Sequence, residues 1–136
     1  MFLGTTNART DAKARLSVPA GYRRELEERG DGRLVLAPSL TDPAIQCFPL
    51  SGWMDRLALV AALPQSDPVV RLVKKTQFAL AYEALPDSHG RILLPTELRA
   101  HAAIDASADA AIVGQGRNFE IWNAERWQAE AKQALA

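Results

Sequence analysis

The chain has 136 residues, 48% of them hydrophobic and 24% charged, the balance of an ordinary globular protein with enough length for one real core or two very small ones. No apolar run reaches the roughly 18 to 20 residues of a membrane span, and Met1 to Arg15 contains no apolar stretch of the kind that marks a secretory leader. One cysteine, Cys47, and two histidines, His89 and His101, exclude an internal disulfide framework and leave too few ligands for a structural metal; the composition reads as a cytoplasmic protein without a cofactor.

The chain reads twice. Asp11-Ala-Lys-Ala-Arg15-Leu-Ser-Val-Pro19 returns as Asp87-Ser-His-Gly-Arg91-Ile-Leu-Leu-Pro95, both of the form D-x-x-x-R-Φ-x-Φ-P with Φ aliphatic. Three such identities coincide by chance roughly once in 10⁴ placements. Farther on, Phe48 followed by Trp53 corresponds to Trp122 followed by Trp127. Two diverged copies of one unit of about 60 residues describe the pattern.

In the first copy, Phe2 to Thr10 reads as a strand, Asp11 to Ala14 as a polar turn and Leu16 to Val18 as a short strand. Pro19 suits the first position of a helix whose apolar face is Tyr22 and Leu26, and Gly30-Asp-Gly32 stops it. Arg33–Ala37 and Ala44–Phe48 form a strand pair around Pro38 to Pro43, after which Ser51 is a candidate cap for a helix turning Trp53, Leu57 and Val60 inward. Asp67-Pro68 starts a connecting helix that runs to about Gln77. The second copy repeats the order: strand Phe78–Leu85, turn Asp87–Gly90, strand Ile92–Leu94, a helix opened by Pro95, strands Ala110–Val113 and Phe119–Trp122, and a last helix capped by Asn123 and carrying Trp127. The three tryptophans read as core.

Sixteen basic and sixteen acidic residues cancel, which argues mildly against nucleic acid. The distribution is less neutral: residues 1–24 carry Arg9, Lys13, Arg15, Arg23 and Arg24 against Asp11 alone. The repeated Asp and Arg read equally as a structural ion pair across a hairpin or as a functional arginine. Gly90 fits a turn of positive φ, but Ala14 stands at the matching place, so that the first turn must differ or carry strain. For an enzyme, the repeat suggests only the carboxylate pair Asp11 and Asp87; no histidine repeats, no G-x-S-x-G occurs and Cys47 lies in an apolar strand, so no catalytic residue is assigned.

Taken together and in order, several segments resemble the MraZ family of bacterial transcriptional regulators, associated with the division and cell-wall gene cluster. They are Met1-Phe-Leu-Gly4, both D-x-x-x-R motifs, Pro49-Leu-Ser-Gly-Trp53, the Asp67-Pro68 helix with its basic residues, and Val113-Gly-Gln-Gly-Arg-Asn-Phe-Glu-Ile-Trp122. The resemblance covers nearly the whole chain. It implies an α+β fold of two tandem pseudo-symmetric swapped-hairpin repeats of the SpoVT/AbrB type, forming a β-barrel with peripheral helices. The first repeat would span 1–62, the connecting helix 63–77 and the second repeat 78–136.

The same resemblance implies a ring homo-oligomer, associated with the nucleoid, that binds short direct repeats in the double-stranded promoter DNA of its own operon and usually represses it. No membrane or small-molecule substrate is implied. Carried over by position, Arg15 is the leading DNA contact, with Lys13 beside it and Arg91 contributing from the second copy; Arg9 is added from local charge. Asp11, Asp87 and Gly90 are structural members of the motif. Ala14 replaces the family's usual glycine, and Pro86 before the second motif is expected to alter a strand edge. The competing reading is an AbrB-type antitoxin or other protein-interaction module, although such antitoxins usually carry one hairpin unit and a disordered acidic tail.

Overall fold

A computed structural model describes all 136 residues. In chain order the elements are β1 (Thr5–Arg9), β2 (Arg15–Ser17), α1 (Ala20–Glu28), β3 (Leu34–Pro38), β4 (Ala44–Pro49), α2 (Leu50–Ala61), α3 (Pro68–Val73), β5 (Tyr82–Ala84), β6 (Arg91–Leu93), α4 (Thr96–Ala102), β7 (Asp109–Gly114), β8 (Phe119–Asn123) and α5 (Ala124–Ala134). The copies correspond element by element, β1 to β5 and onward to α2 and α5. Six strands form an antiparallel sheet in the order β1-β7-β8-β4-β3-β5, and β2 pairs with β6 in a separate ribbon.

That order is a palindrome in the repeat. The hairpins β3–β4 and β7–β8 meet at the centre through β4 and β8. Each outer strand belongs to the other copy: β1 pairs with β7, and β5 with β3. Consequently one core serves both copies. Leu16, Tyr22, Leu26 and Leu36 from the first half pack in the same cluster as Ile92, Leu98, Ile112 and Phe119 from the second, each full burial worth about 1.5–3 kcal/mol.

Alternation explains the ribbon strands, whereas β3, β4, β7 and β8 are buried almost continuously. In β2 and β6 the central residues, Leu16 and Ile92, point into the core, while the flanking Arg15, Ser17, Arg91 and Leu93 face outward. The chain start closes one end of the sheet. Phe2 exchanges two backbone hydrogen bonds of 2.8 Å with Gly116, and a side chain at Gly114 would meet the Phe2 carbonyl at 2.5 Å. Only glycine allows the two backbones to come so close there.

Several local expectations shift. Pro19 and Pro95 are the residues before α1 and α4, in extended conformation, and not their first helical residues. A proline's neighbour to the N-terminal side is restricted, but the proline itself sits comfortably with extended ψ, and in neither helix does a side chain cap the end. Ser51 does not cap α2 either, because the helix already begins at Leu50, after Pro49. Asp67 and Asn123 do cap, accepting from the amides of Val69 and Arg126 at 2.8 and 3.1 Å. Phe78 ends a π-helical extension of α3, Lys74–Phe78, and is not in a strand; its ring packs on Trp53 at 5.4 Å. Trp53 and Trp122 are core residues, whereas Trp127 is half-exposed and covers Trp122 from outside at 5.4 Å. The second copy's edge strand is the shorter one. Thr10 donates its backbone N–H to Ala108, and Pro86, in the matching place, has no N–H to donate.

Glu120 is buried within the central sheet and accepts from the Trp122 indole at 3.0 Å. Burial raises its carboxyl above the ordinary glutamate range, partly offset by that indole. A raised folded value stabilises the protein only while the group is protonated. Its contribution is therefore full at acid pH and is lost as the pH climbs through the raised value. Glu120→Gln keeps an acceptor for Trp122 without the buried charge, and its thermal midpoint is expected above the parent's at pH 7, with the gap closing near pH 4.

Candidate nucleic-acid interface

Each D-x-x-x-R segment folds into the same tight turn. In the first, the Asp11 amide donates to the Arg15 carbonyl at 2.9 Å and the Ala14 amide to the Asp11 carbonyl at 3.0 Å. The Asp11 carboxylate then fills the turn: Oδ1 accepts from the amides of Lys13 and Arg15, both at 2.9 Å, and Oδ2 accepts from Arg15 Nε at 2.7 Å. The second turn repeats every bond, with Asp87 accepting from the amides of His89 and Arg91 and from Arg91 Nε at 2.9 to 3.0 Å. His89 thus occupies the place of Lys13.

An aspartate is required because only a short carboxylate reaches its own turn amides and the arginine together. The Arg15 amide holds the Asp11 carboxyl below its ordinary range, and the Arg91 amide does the same for Asp87. With both values depressed, this stabilisation is present above the unfolded-state value and disappears as the pH falls through the folded one. The aspartates therefore orient the arginines at any neutral pH.

Antiparallel pairing of β2 with β6 puts the two turns on one surface. Arg15 lies opposite Leu93 and Arg91 opposite Ser17. Arg91 Nη1 also approaches Asp11 Oδ2 at 3.9 Å, linking the copies. Both arginines are about 30% exposed and lie on the outer face of the ribbon with Nε tied down. A guanidinium fixed at Nε still presents its terminal donors outward, the fork that matches a guanine edge or a phosphate.

Lys13 is exposed at the tip of the first turn and takes part in no ion pair. Arg9 lies on the adjoining edge strand, where its charge is taken up by Asp109 at 2.9 Å. Sequence reading passed over a second repeated arginine pair, Arg23 and Arg99, 76 positions apart like the motifs themselves. Arg23 Nε donates to the Val18 carbonyl at 3.2 Å and Arg99 Nε to the Leu94 carbonyl at 3.1 Å. That shared offset was the available signal.

Of the two possibilities for Ala14, the structure takes strain. Its φ is +59°, against +77° at Gly90, with the turn otherwise unchanged. An alanine in the left-handed region costs about 1–2 kcal/mol, while its buried methyl contributes at most about 0.8 kcal/mol. Ala14→Gly is expected to stabilise by up to about 1 kcal/mol, read as a higher urea midpoint with the same denaturant slope.

A family profile described as "MraZ protein, putative antitoxin-like" matches residues 77–136. The Transcriptional regulator MraZ of Nitrosococcus oceani is 38% identical over 130 residues, covering 96% of this chain and 86% of the relative. The chain belongs to the MraZ family. Proteins of the same name from Thiobacillus denitrificans (39% over 139 residues, 100% of this chain and 90% of the relative) and Hydrogenovibrio crunogenus (34% over 134 residues, 98% and 87%) are similar along their length. These MraZ relatives carry a regulator's name and not an enzyme's. No helix of this family member is long and apolar enough to cross a membrane.

Proposed function

We propose that this chain is a sequence-specific DNA-binding transcriptional regulator, a repressor of the division and cell-wall gene cluster that encodes it, without catalytic activity. The observation that carries the reading is the duplicated turn. Two aspartates spend their acceptors on holding two arginines side by side on an outward-facing β-ribbon, an arrangement of donors suited to a DNA groove and of no evident use to the core. Relatives similar along nearly the whole chain are named transcriptional regulators.

The architecture fits two SpoVT/AbrB-type swapped-hairpin repeats, 1–62 and 78–136, joined by the 63–77 helix. The exchanged outer strands and shared core support that description. In this reading Arg15 leads, Lys13 supplies a free charge at the same turn, Arg91 joins from the second copy, and Arg9 contributes least because Asp109 neutralises it.

A neutral chain needs multiplicity to hold DNA. We infer a ring homo-oligomer whose subunits present the ribbon along one rim to evenly spaced promoter repeats; such linkage raises avidity by roughly 10²–10⁴ without new contacts. Exposed apolar side chains along α2, α3 and the loop between them, namely Met54, Leu59, Leu63, Val69 and Leu72, support self-association. The test is a reporter under the promoter of the chain's own gene: supplying the protein lowers expression, and Arg15→Ala restores it. Expression indifferent to the protein would overturn the assignment.

A further inference from the structure

The two turns are alike in backbone but sit in different electrostatic surroundings. Beside the second turn, Arg23 shares a cleft of about 140 Å³ with Glu27, Asp31 and Asp87. Its guanidinium lies flat on the glycine of that turn, where a Cβ on Gly90 would meet Arg23 Cζ at 2.7 Å. Carried 76 positions along, the two outlying carboxylates of that cleft become Ala103 and Ser107 in the loop after α4. This loop does pack on the first turn: the Ser107 amide donates to the Asp11 carbonyl at 3.1 Å, and the Thr10 hydroxyl bridges Asp105 and Ala108.

Arg99, the twin of Arg23, is seated there by two linked hydrogen bonds. Its Nε donates to Leu94, and the Leu94 amide donates to the Ala14 carbonyl at 3.0 Å. Arg99 and Arg23 are both half-buried and neither forms an ion pair, so that the difference between them lies in the carboxylates around each. Asp11 is engaged by Arg15 at the first turn as Asp87 is by Arg91 at the second, and Asp105 is exposed. Arg99 is thus seated at the first turn with one exposed carboxylate, Asp105, in the adjoining loop, whereas two, Glu27 and Asp31, line the cleft of Arg23 besides the engaged Asp87 and repel a phosphate.

We propose that Arg99 is a phosphate-contacting residue of the DNA-binding surface, pairing with the first turn, and that its pseudo-symmetric twin Arg23 is not. This deepens the regulator reading and rests on it. The division of labour follows from charge. Arg15 is already matched by Asp11 and adds directed donors with little net charge, so the attraction for the backbone falls to the unmatched Lys13 and Arg99.

The experiment measures fluorescence anisotropy of a duplex carrying the promoter of the chain's own gene, and of a scrambled duplex of equal length, across a salt series. Arg99→Gln is expected to weaken both duplexes alike, by roughly fivefold per engaged subunit at 0.15 M salt, and to lower the log–log salt slope by about 0.9 per engaged subunit. Arg99→Lys retains the slope because it retains the charge, and Arg23→Gln leaves slope and affinity unchanged. Thermal midpoints of all variants separate lost contacts from lost fold. Parental affinity and slope in Arg99→Gln, or an equal loss in Arg23→Gln, overturns the assignment of Arg99 while the regulator reading stands. Failure of the parent protein to bind either duplex overturns both.

Discussion

Arg15→Ala is expected to abolish measurable recognition of the promoter duplex while the protein remains folded. A guanidinium that pairs with a base edge discriminates by about 1–3 kcal/mol, and the ring proposed above would engage more than one repeat. Two engaged subunits then lose about 2–6 kcal/mol together, a factor of roughly thirty to more than ten thousand in affinity. The fold loses little, since Arg15 is a third exposed and its pair with Asp11 belongs to a class worth about 0–1 kcal/mol. Arg15→Lys is the informative companion. It keeps the charge but not the fork held at Nε by Asp11, so binding to scrambled duplex persists and preference for the promoter falls. Promoter affinity within a factor of two of the parent in Arg15→Ala, by anisotropy at fixed salt, would remove Arg15 from the interface.

Phe119→Ala is expected to cost about 3–5 kcal/mol of folding stability, a large part of the roughly 5–15 kcal/mol that a domain possesses. Phe119 is fully buried at the start of β8. Its ring lies 5.2 Å from Phe2 and 5.1 Å from Tyr22, which are themselves 5.0 Å apart. Those three rings come from the chain start, the first helix and the second copy's hairpin, so one deletion loosens the joint between the copies. Tyr22 also ties its hydroxyl to the Leu3 carbonyl at 2.9 Å, holding the N-terminal segment over Gly114. Urea unfolding followed by tryptophan fluorescence reads the loss; a decrease under about 1 kcal/mol would mean that the cluster does not join the copies.

The sequence carried the repeat, both central hairpins, the inward face of α1 and the Asp–Arg pairing, because each of these is written locally: short apolar runs bounded by turn residues for the central strands, a spacing of four for the helix face, and a carboxylate four residues before an arginine. Strand partners were not legible in the same way. Nothing within Thr5–Arg9, exposed but for the half-buried Ala8, says that it pairs with β7 of the other copy and not with β3 of its own. Only the family resemblance implied an exchange.

Phe78 shows the same limit in miniature. An apolar run after a helix reads as a strand, yet packing against Trp53 draws the residue into a π-helical turn. At the site, the motif residues were visible because a nine-residue pattern returns 76 positions on. Arg99 was not, since its meaning depends on which carboxylates are absent from the loop that packs beside it. Ala14 was read correctly as a conflict, and the backbone resolved it by strain at φ +59°.

The central claim is that the ribbon carrying Arg15 and Arg91 binds promoter DNA through several subunits at once. Anisotropy of the chain's own promoter duplex against a scrambled duplex, from low to physiological salt, tests it most directly. The account predicts tighter binding to the promoter at every salt concentration, with log affinity falling steeply in log salt because many phosphates are engaged together. Equal and weak binding to both duplexes, with a shallow slope, would contradict it.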